Sequence, residues 1–165
     1  MKQRTIMIFP DFENIAVIDK IRKKYDPLSG LVRPHITLVF PFKSEMTTDD
    51  IRMRVEAAVN DISQFELELG GFSTEQSKFG NYLFLNVIKG TEILSELNKR
   101  LYNNNPPFPY TPHMTVGNTP TIEQLDEAYK EVSDITEVFK TTVTKISVEI
   151  IGEHGESIIE TETDL

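Results

Sequence analysis

Pro34-His35-Ile36-Thr37-Leu38 and Pro112-His113-Met114-Thr115-Val116 carry one pattern twice: proline, histidine, apolar, threonine, apolar. Between them they use two of the three histidines in the chain. Alternation of polar and apolar residues is the signature of a strand with one buried face, so His35 and Thr37 are expected on one face and Ile36 and Leu38 in the core. His113 and Thr115 are expected to stand likewise over Met114 and Val116. At about 3.3 Å of rise per residue, each strand presents an imidazole and a hydroxyl roughly 6 to 7 Å apart, room for a phosphate group. The prolines fit this reading, because a proline can begin a strand although it cannot donate to the ladder.

Outward from the two motifs, the element order repeats. Residues 3 to 9 read as a strand stopped by Pro10. Asp11 is placed to cap a helix carrying Phe12, Ile15, Ile18, Ile21 and Tyr25 at three- and four-residue spacing. Its basic end, Arg22-Lys23-Lys24, is explained by the helix dipole alone. After the turn Asp26 to Gly30, the first motif strand runs from His35 to Phe40 and stops before Pro41. Thr47 or Thr48 caps a helix with Ile51, Val55, Ala58 and Ile62 on its buried face. Strands follow at Phe65 to Leu69 and Asn81 to Ile88. The second round has a helix from Thr91 with Leu94, Leu97 and Leu101, the second motif strand, and a helix bearing Ile122, Leu125, Ala128 and Val132 that starts from Thr121, with Gln124 completing a capping box. A long strand then covers Val138 to Ile151 and turns at Gly152 to Glu156 into Ser157 to Glu160. Each half reads as helix, motif strand, helix, strand, strand, with residues 3 to 9 added in front. The predicted fold is α+β, a bilobal pseudo-twofold duplication with two antiparallel sheets, flanking helices and a central cleft. Residues 1 to 165 form one domain of two similar lobes, read as a monomer.

The chain has no cysteine, which removes thiolate nucleophiles, disulfides and cysteine metal sites and fits a reducing compartment. The apolar run before Pro10 is too short for a signal peptide or membrane span, so the protein is read as soluble and cytoplasmic, with no membrane partner. A net charge of -9 argues against an extended nucleic-acid surface. Residues 1 to 43 nevertheless carry eight Lys or Arg against four acids, so a small anion such as a nucleotide end could be met there.

Two imidazoles converging on a phosphodiester suit acid-base hydrolysis. One, neutral, takes a proton from water, and the other, protonated, gives one to the departing sugar oxygen. The threonines donate to the nonbridging oxygens, where negative charge builds up. This scheme needs no metal and no cofactor. Two other readings compete with it: a nucleotide- or RNA-binding module that keeps the cleft without turnover, and a zinc site on His35 and His113, for which no closely spaced third ligand is evident. Arg33 is a candidate for neutralising substrate phosphate. Tyr110 and Phe108, before the second motif, are candidates for stacking on a base. His154 sits in an expected hairpin turn and is left outside the site.

The paired His-x-Thr-x motifs, 78 positions apart, and the duplicated lobes resemble the 2H phosphoesterase superfamily. That superfamily includes the bacterial 2′-5′ RNA ligase-like proteins and RNA 2′,3′-cyclic phosphodiesterases. The resemblance covers essentially the whole chain. It implies a cleft in which His35, Thr37, His113 and Thr115 contact the scissile phosphate of a nucleotide or RNA end, with His35 as proton donor and His113 as proton acceptor for opening a 2′,3′-cyclic phosphate. Ligation is the variant in which a ribose hydroxyl replaces water. The sequence before His35 looks most like a bacterial subgroup of phosphoesterases whose substrate is unassigned.

Overall fold

A computed structural model describes all 165 residues. Eight strands and four helices follow one another as β1 (Lys2–Ile8), α1 (Ile15–Tyr25), β2 (Ile36–Ser44), α2 (Thr48–Val59), β3 (Phe65–Ser77), β4 (Gly80–Lys89), α3 (Thr91–Leu101), β5 (His113–Thr119), α4 (Ile122–Val132), β6 (Phe139–Val143), β7 (Lys145–Ile151) and β8 (Ser157–Asp164). The class is α+β, as expected, but the strands form one sheet and not two. Its order is β6-β3-β4-β5-β2-β1-β7-β8, and every neighbouring pair is antiparallel. The join lies between the two motif strands, which pair only at Ile36 and Met114. Separated at this join, the sheet would fall into two four-stranded halves, each with its motif strand as an open edge. Pairing those edges, even over one residue pair, closes both.

Outward from the join, β5-β4-β3-β6 mirrors β2-β1-β7-β8. The strand order is therefore pseudo-symmetric about the join, with a different correspondence from the one expected. β1 is the positional counterpart of β4. β3 comes from the first half of the chain but lies on the β5 side, and β7 comes from the second half but lies on the β2 side. The single long strand expected over Val138 to Ile151 is accordingly two. β6 ends one edge of the sheet beside β3, and after Thr144 the chain enters the other half as β7, between β1 and β8. The Thr144 carbonyl, freed by the break, accepts from the Leu165 N–H at 2.9 Å.

One sheet face is apolar. Ile6, Ile8, Ile36, Leu38, Leu67, Leu69, Leu83, Leu85, Met114, Val116, Ile146 and Val148 join the inward faces of the helices in one cluster. Those inward faces follow the helical period: Ile18 and Ile21; Ile51, Val55 and Ala58; Leu94, Leu97 and Leu101; Leu125, Ala128 and Val132. Helix α2 starts at a full capping box, in which the Thr47 hydroxyl accepts from the Asp50 N–H and the Asp50 carboxylate accepts from the Thr47 N–H. Helix α1 starts later than expected. Asn14 is its N-cap residue, because Phe12 turns inward against Phe139, with ring centroids 5.8 Å apart, and its carbonyl accepts from Ile15 in a preceding turn.

Strand β2 runs through Pro41 instead of stopping before it. Its register with β1 slips between Val39 and Phe42, a bulge that takes up the proline. The Phe40 N–H donates to the Tyr102 hydroxyl at 3.1 Å.

Candidate functional site

The alternation expected in each motif is present. Ile36, Leu38, Met114 and Val116 are fully buried, while His35, Thr37, His113 and Thr115 are partly exposed on the opposite face. His35 itself lies one residue before the first of β2, and His113 is the first residue of β5. Antiparallel register through the Ile36–Met114 pair sets His35 across from Thr115 and Thr37 across from His113. Each histidine thus lies at the register position facing the threonine of the other motif. The two motifs meet at the join on one sheet face, each contributed by a different half of the chain.

Both imidazoles are held in the same way. His35 Nδ1 lies 2.8 Å from the Arg33 carbonyl, and His113 Nδ1 lies 2.8 Å from the Thr111 carbonyl, two residues back in each case. A carbonyl only accepts, so Nδ1 carries the proton in both rings and Nε2 is the nitrogen that titrates. The Pro34 and Pro112 rings fix the backbone between each histidine and its carbonyl partner. Burial lowers the basicity of His35, and positive charge on Arg22 and His113 acts in the same direction, opposed by the Arg33 carbonyl and by Asp26. His113 is also lowered by burial, opposed by the Thr111 carbonyl and the Glu75 carboxylate. Phe84 stacks on His113 with centroids 3.8 Å apart at 27°, whereas Phe9 meets His35 edge-on at 6.2 Å.

Beside His113 opens a cavity of about 360 Å³, lined by Phe40, Phe84, Phe108, Asn86, Glu75 and Tyr110 among others. Phe40 and Phe108 meet edge to face at 5.2 Å. The Asn86 carbonyl oxygen accepts from the Ser73 hydroxyl at 2.7 Å, which leaves the amide N–H₂ as its available donor. Tyr110 lies in this wall, but its hydroxyl is committed, donating to the Thr37 carbonyl at 2.8 Å. It ties the loop before one motif to the strand of the other, and burial raises its phenol pKa far above the usual value. Arg33 is exposed, forms no ion pair, and lies with its guanidinium carbon 4.5 Å above the Phe9 ring. His154 lies in the turn between β7 and β8, where its backbone N–H donates to Glu156.

Phe84, Asn86, Ser73 and Glu75 are absent from the sequence reading. The alternation Tyr82, Phe84, Asn86 against Leu83 and Leu85 marks them as one face of a strand. Only the pairing of β4 with β5, which sets Asn86 opposite His113, places that face beside the motif. Arg22, which the sequence accounts for by the helix dipole alone, is buried and ion-paired with Asp26 at 2.8 Å. No group of three or more His, Asp or Glu side chains is gathered where it could hold a metal ion. No helix is long and apolar enough to cross a membrane.

The chain matches the pattern of the 2′-5′ RNA ligase superfamily over residues 10–154. A Bacillus licheniformis protein named "Putative phosphoesterase" is 26% identical over 148 residues, covering 78% of this chain and 84% of that one. Among solved structures, TT0787 of Thermus thermophilus is similar with a TM-score of 0.69 at 14% identity, over 99% of this chain and 97% of that one. E. coli LigT complexed with 3′-AMP is similar with a TM-score of 0.54 at 18% identity, over 99% and 98%. At these identities the two structural likenesses are likenesses of fold.

Proposed function

Because the chain belongs to the 2′-5′ RNA ligase superfamily, we propose that it is a phosphoesterase that opens 2′,3′-cyclic phosphates of RNA ends or small nucleotides by acid-base catalysis on His35 and His113. The observation that carries this reading is the matched pair of imidazoles, each with Nδ1 spent on the carbonyl two residues back and Nε2 left to exchange a proton. A neutral Nε2 takes a proton from water as its oxygen bonds to phosphorus. The bond from phosphorus to one ribose oxygen breaks, and the second imidazole, protonated, gives its proton to that oxygen. By the family resemblance His35 is the donor and His113 the acceptor. Thr37 and Thr115 donate to the nonbridging oxygens, where charge accumulates.

The cavity beside His113 takes the nucleoside. Phe40, Phe84 and Phe108 supply its apolar walls and the Asn86 amide a donor for a base or ribose edge. Tyr110 shapes this wall and couples it to Thr37, and Arg33 meets substrate phosphate from the other side. The LigT structure holding 3′-AMP supports a nucleotide as the ligand class. In this reading the chain acts as one bilobal domain over residues 1–165.

The test is incubation of the purified protein with the four nucleoside 2′,3′-cyclic phosphates in EDTA, followed by phosphorus NMR. The expected result is a ribonucleoside 2′- or 3′-monophosphate. Saturable binding with no product would replace the enzyme by a binding module. The pH profile gives a second check. One histidine must be neutral and the other protonated, and burial lowers both. The maximum of kcat/KM is therefore expected on the acid side of about 6.5, the ordinary histidine value. An optimum at alkaline pH would contradict the two-histidine scheme.

A further inference from the structure

A second cavity, of about 230 Å³, lies between α1 and the loop that delivers His35, lined by Asp19, Arg22, Arg33, Pro34 and residues 29 to 32. Arg22 is buried, with 2% of its surface exposed. Its Nε donates to Asp26 Oδ2 at 2.8 Å, yet its Nη2 has no hydrogen-bond partner. A buried guanidinium N–H₂ left unmatched is costly, and each such group in a native protein calls for a reason, a bound ion among them. Arg33, on the same wall, carries an unpaired charge. Its neighbour Phe9 offers a ring face, and the Glu162 carboxylate feels its charge without forming an ion pair with it. Within this loop the N–H groups of Ser29, Leu31 and Val32 are taken by turns, whereas those of Gly30 and Arg33 have no backbone partner. The one acid on the wall not engaged with Arg22 is Asp19, which is exposed.

We propose that this cavity binds a second phosphate of the substrate, held by the guanidinium groups of Arg22 and Arg33. The proposal rests on the phosphoesterase reading and names its substrate more closely. Two guanidinium forks with spare N–H donors match phosphate geometry. The volume suits one phosphate group and is below that of ordinary nucleoside-sized pockets. Pro34 and Arg33 directly precede His35, so the cavity wall lies within about 4 to 7 Å of backbone of the catalytic imidazole. Consecutive phosphates flank one ribose in RNA. A terminal nucleotide with its 2′,3′-cyclic phosphate between the histidines would therefore offer its 5′-phosphate to Arg33 and Arg22. The preferred substrate is an RNA end or a 5′-phosphorylated nucleotide, not a nucleoside cyclic phosphate lacking that group.

The test compares kcat/KM for 5′-phosphoadenosine 2′,3′-cyclic phosphate and adenosine 2′,3′-cyclic phosphate. The native protein is expected to favour the first by about tenfold or more, as for a charge-assisted contact. Arg33→Gln and Arg22→Gln are expected to bring the ratio close to one. Arg33 is exposed, so its variant reads the ratio even if Arg22→Gln fails to fold. A native ratio near one, or a ratio unchanged in Arg33→Gln, overturns the proposal. Hydrolysis of neither compound would sink the phosphoesterase reading instead. The cavity is then judged by calorimetry, adenosine 3′,5′-bisphosphate against 3′-AMP. The same preference lost in Arg33→Gln supports the site, and equal affinity overturns it.

Discussion

Alanine at either His35 or His113 is expected to lower turnover of a 2′,3′-cyclic nucleotide by about 10²- to 10⁴-fold, the range for removal of a positioned acid or base. Both rings sit in rigid, matching settings, with Nδ1 on a carbonyl and an aromatic ring alongside, so neither can stand in for the other. In the proposed scheme the two act in one proton-transfer cycle, so the double variant should lose little more than the worse single one. Asparagine offers a further control. It can still donate to the Arg33 or Thr111 carbonyl but cannot exchange a proton, so it too should be inactive while keeping the fold. The check is steady-state turnover in EDTA beside a thermal melt of each variant. Full activity in either folded alanine variant would remove the two-histidine mechanism.

Loss of the Glu160 carboxylate is expected to cost about 3 to 5 kcal/mol of stability, the usual consequence of orphaning a buried charge. The partner is Arg4, completely buried in β1. Its Nε and Nη2 donate to the two oxygens of Glu160 at 2.6 and 2.8 Å, and its other N–H groups reach the Ser44 and Met46 carbonyls. Lys2 and the Thr48 hydroxyl complete the shell around Glu160. The cluster fastens β8, the last strand, to β1, to the end of β2 and to the start of α2. These hydrogen bonds, the Arg4 one above all, hold the Glu160 carboxyl down at about 2. Its stabilisation is therefore fully present above about 4.5, the ordinary carboxyl value, and is lost as pH falls through 2. Urea denaturation of Glu160→Gln at neutral pH checks the first expectation, and the native protein's acid titration checks the second. A paired Arg4→Met, Glu160→Met variant should be markedly less damaged than Glu160→Gln, since it leaves no unpaired charge.

What the sequence disclosed and what it hid divide along one physical line. Periodicity is local, so the alternating motifs, the inward faces of all four helices and the Thr47 and Thr121 caps could be read directly. Strand partnership is not local. A single residue pair, Ile36 with Met114, makes one sheet of two halves, and no pattern along the chain announces it. The same holds at Thr144, where the chain passes between halves without a glycine or proline to mark it. At Pro41 a local rule was misleading, because a bulge lets the strand continue. Arg22 opens the basic run at the end of α1 and is accounted for in the sequence by the helix dipole, while its side chain turns inward to Asp26. The four motif residues were legible because their spacing is intrinsic to a strand. Ser73, Asn86 and Glu75 were not, because only the β3-β4-β5 neighbourhood brings them to His113.

The exchange of strands between the halves has a consequence for how this molecule could have been assembled. A polypeptide cut after β3 carries β1 and β2 for one side and β3 for the other, while β7 and β8, which complete the first side, remain on the second fragment. Neither fragment alone can rebuild either side of the sheet, yet together they hold every strand. A single ancestral copy would meet the same deficit and could satisfy it by pairing with its twin across the dyad. Fusion of two such copies into one chain would make that loan permanent.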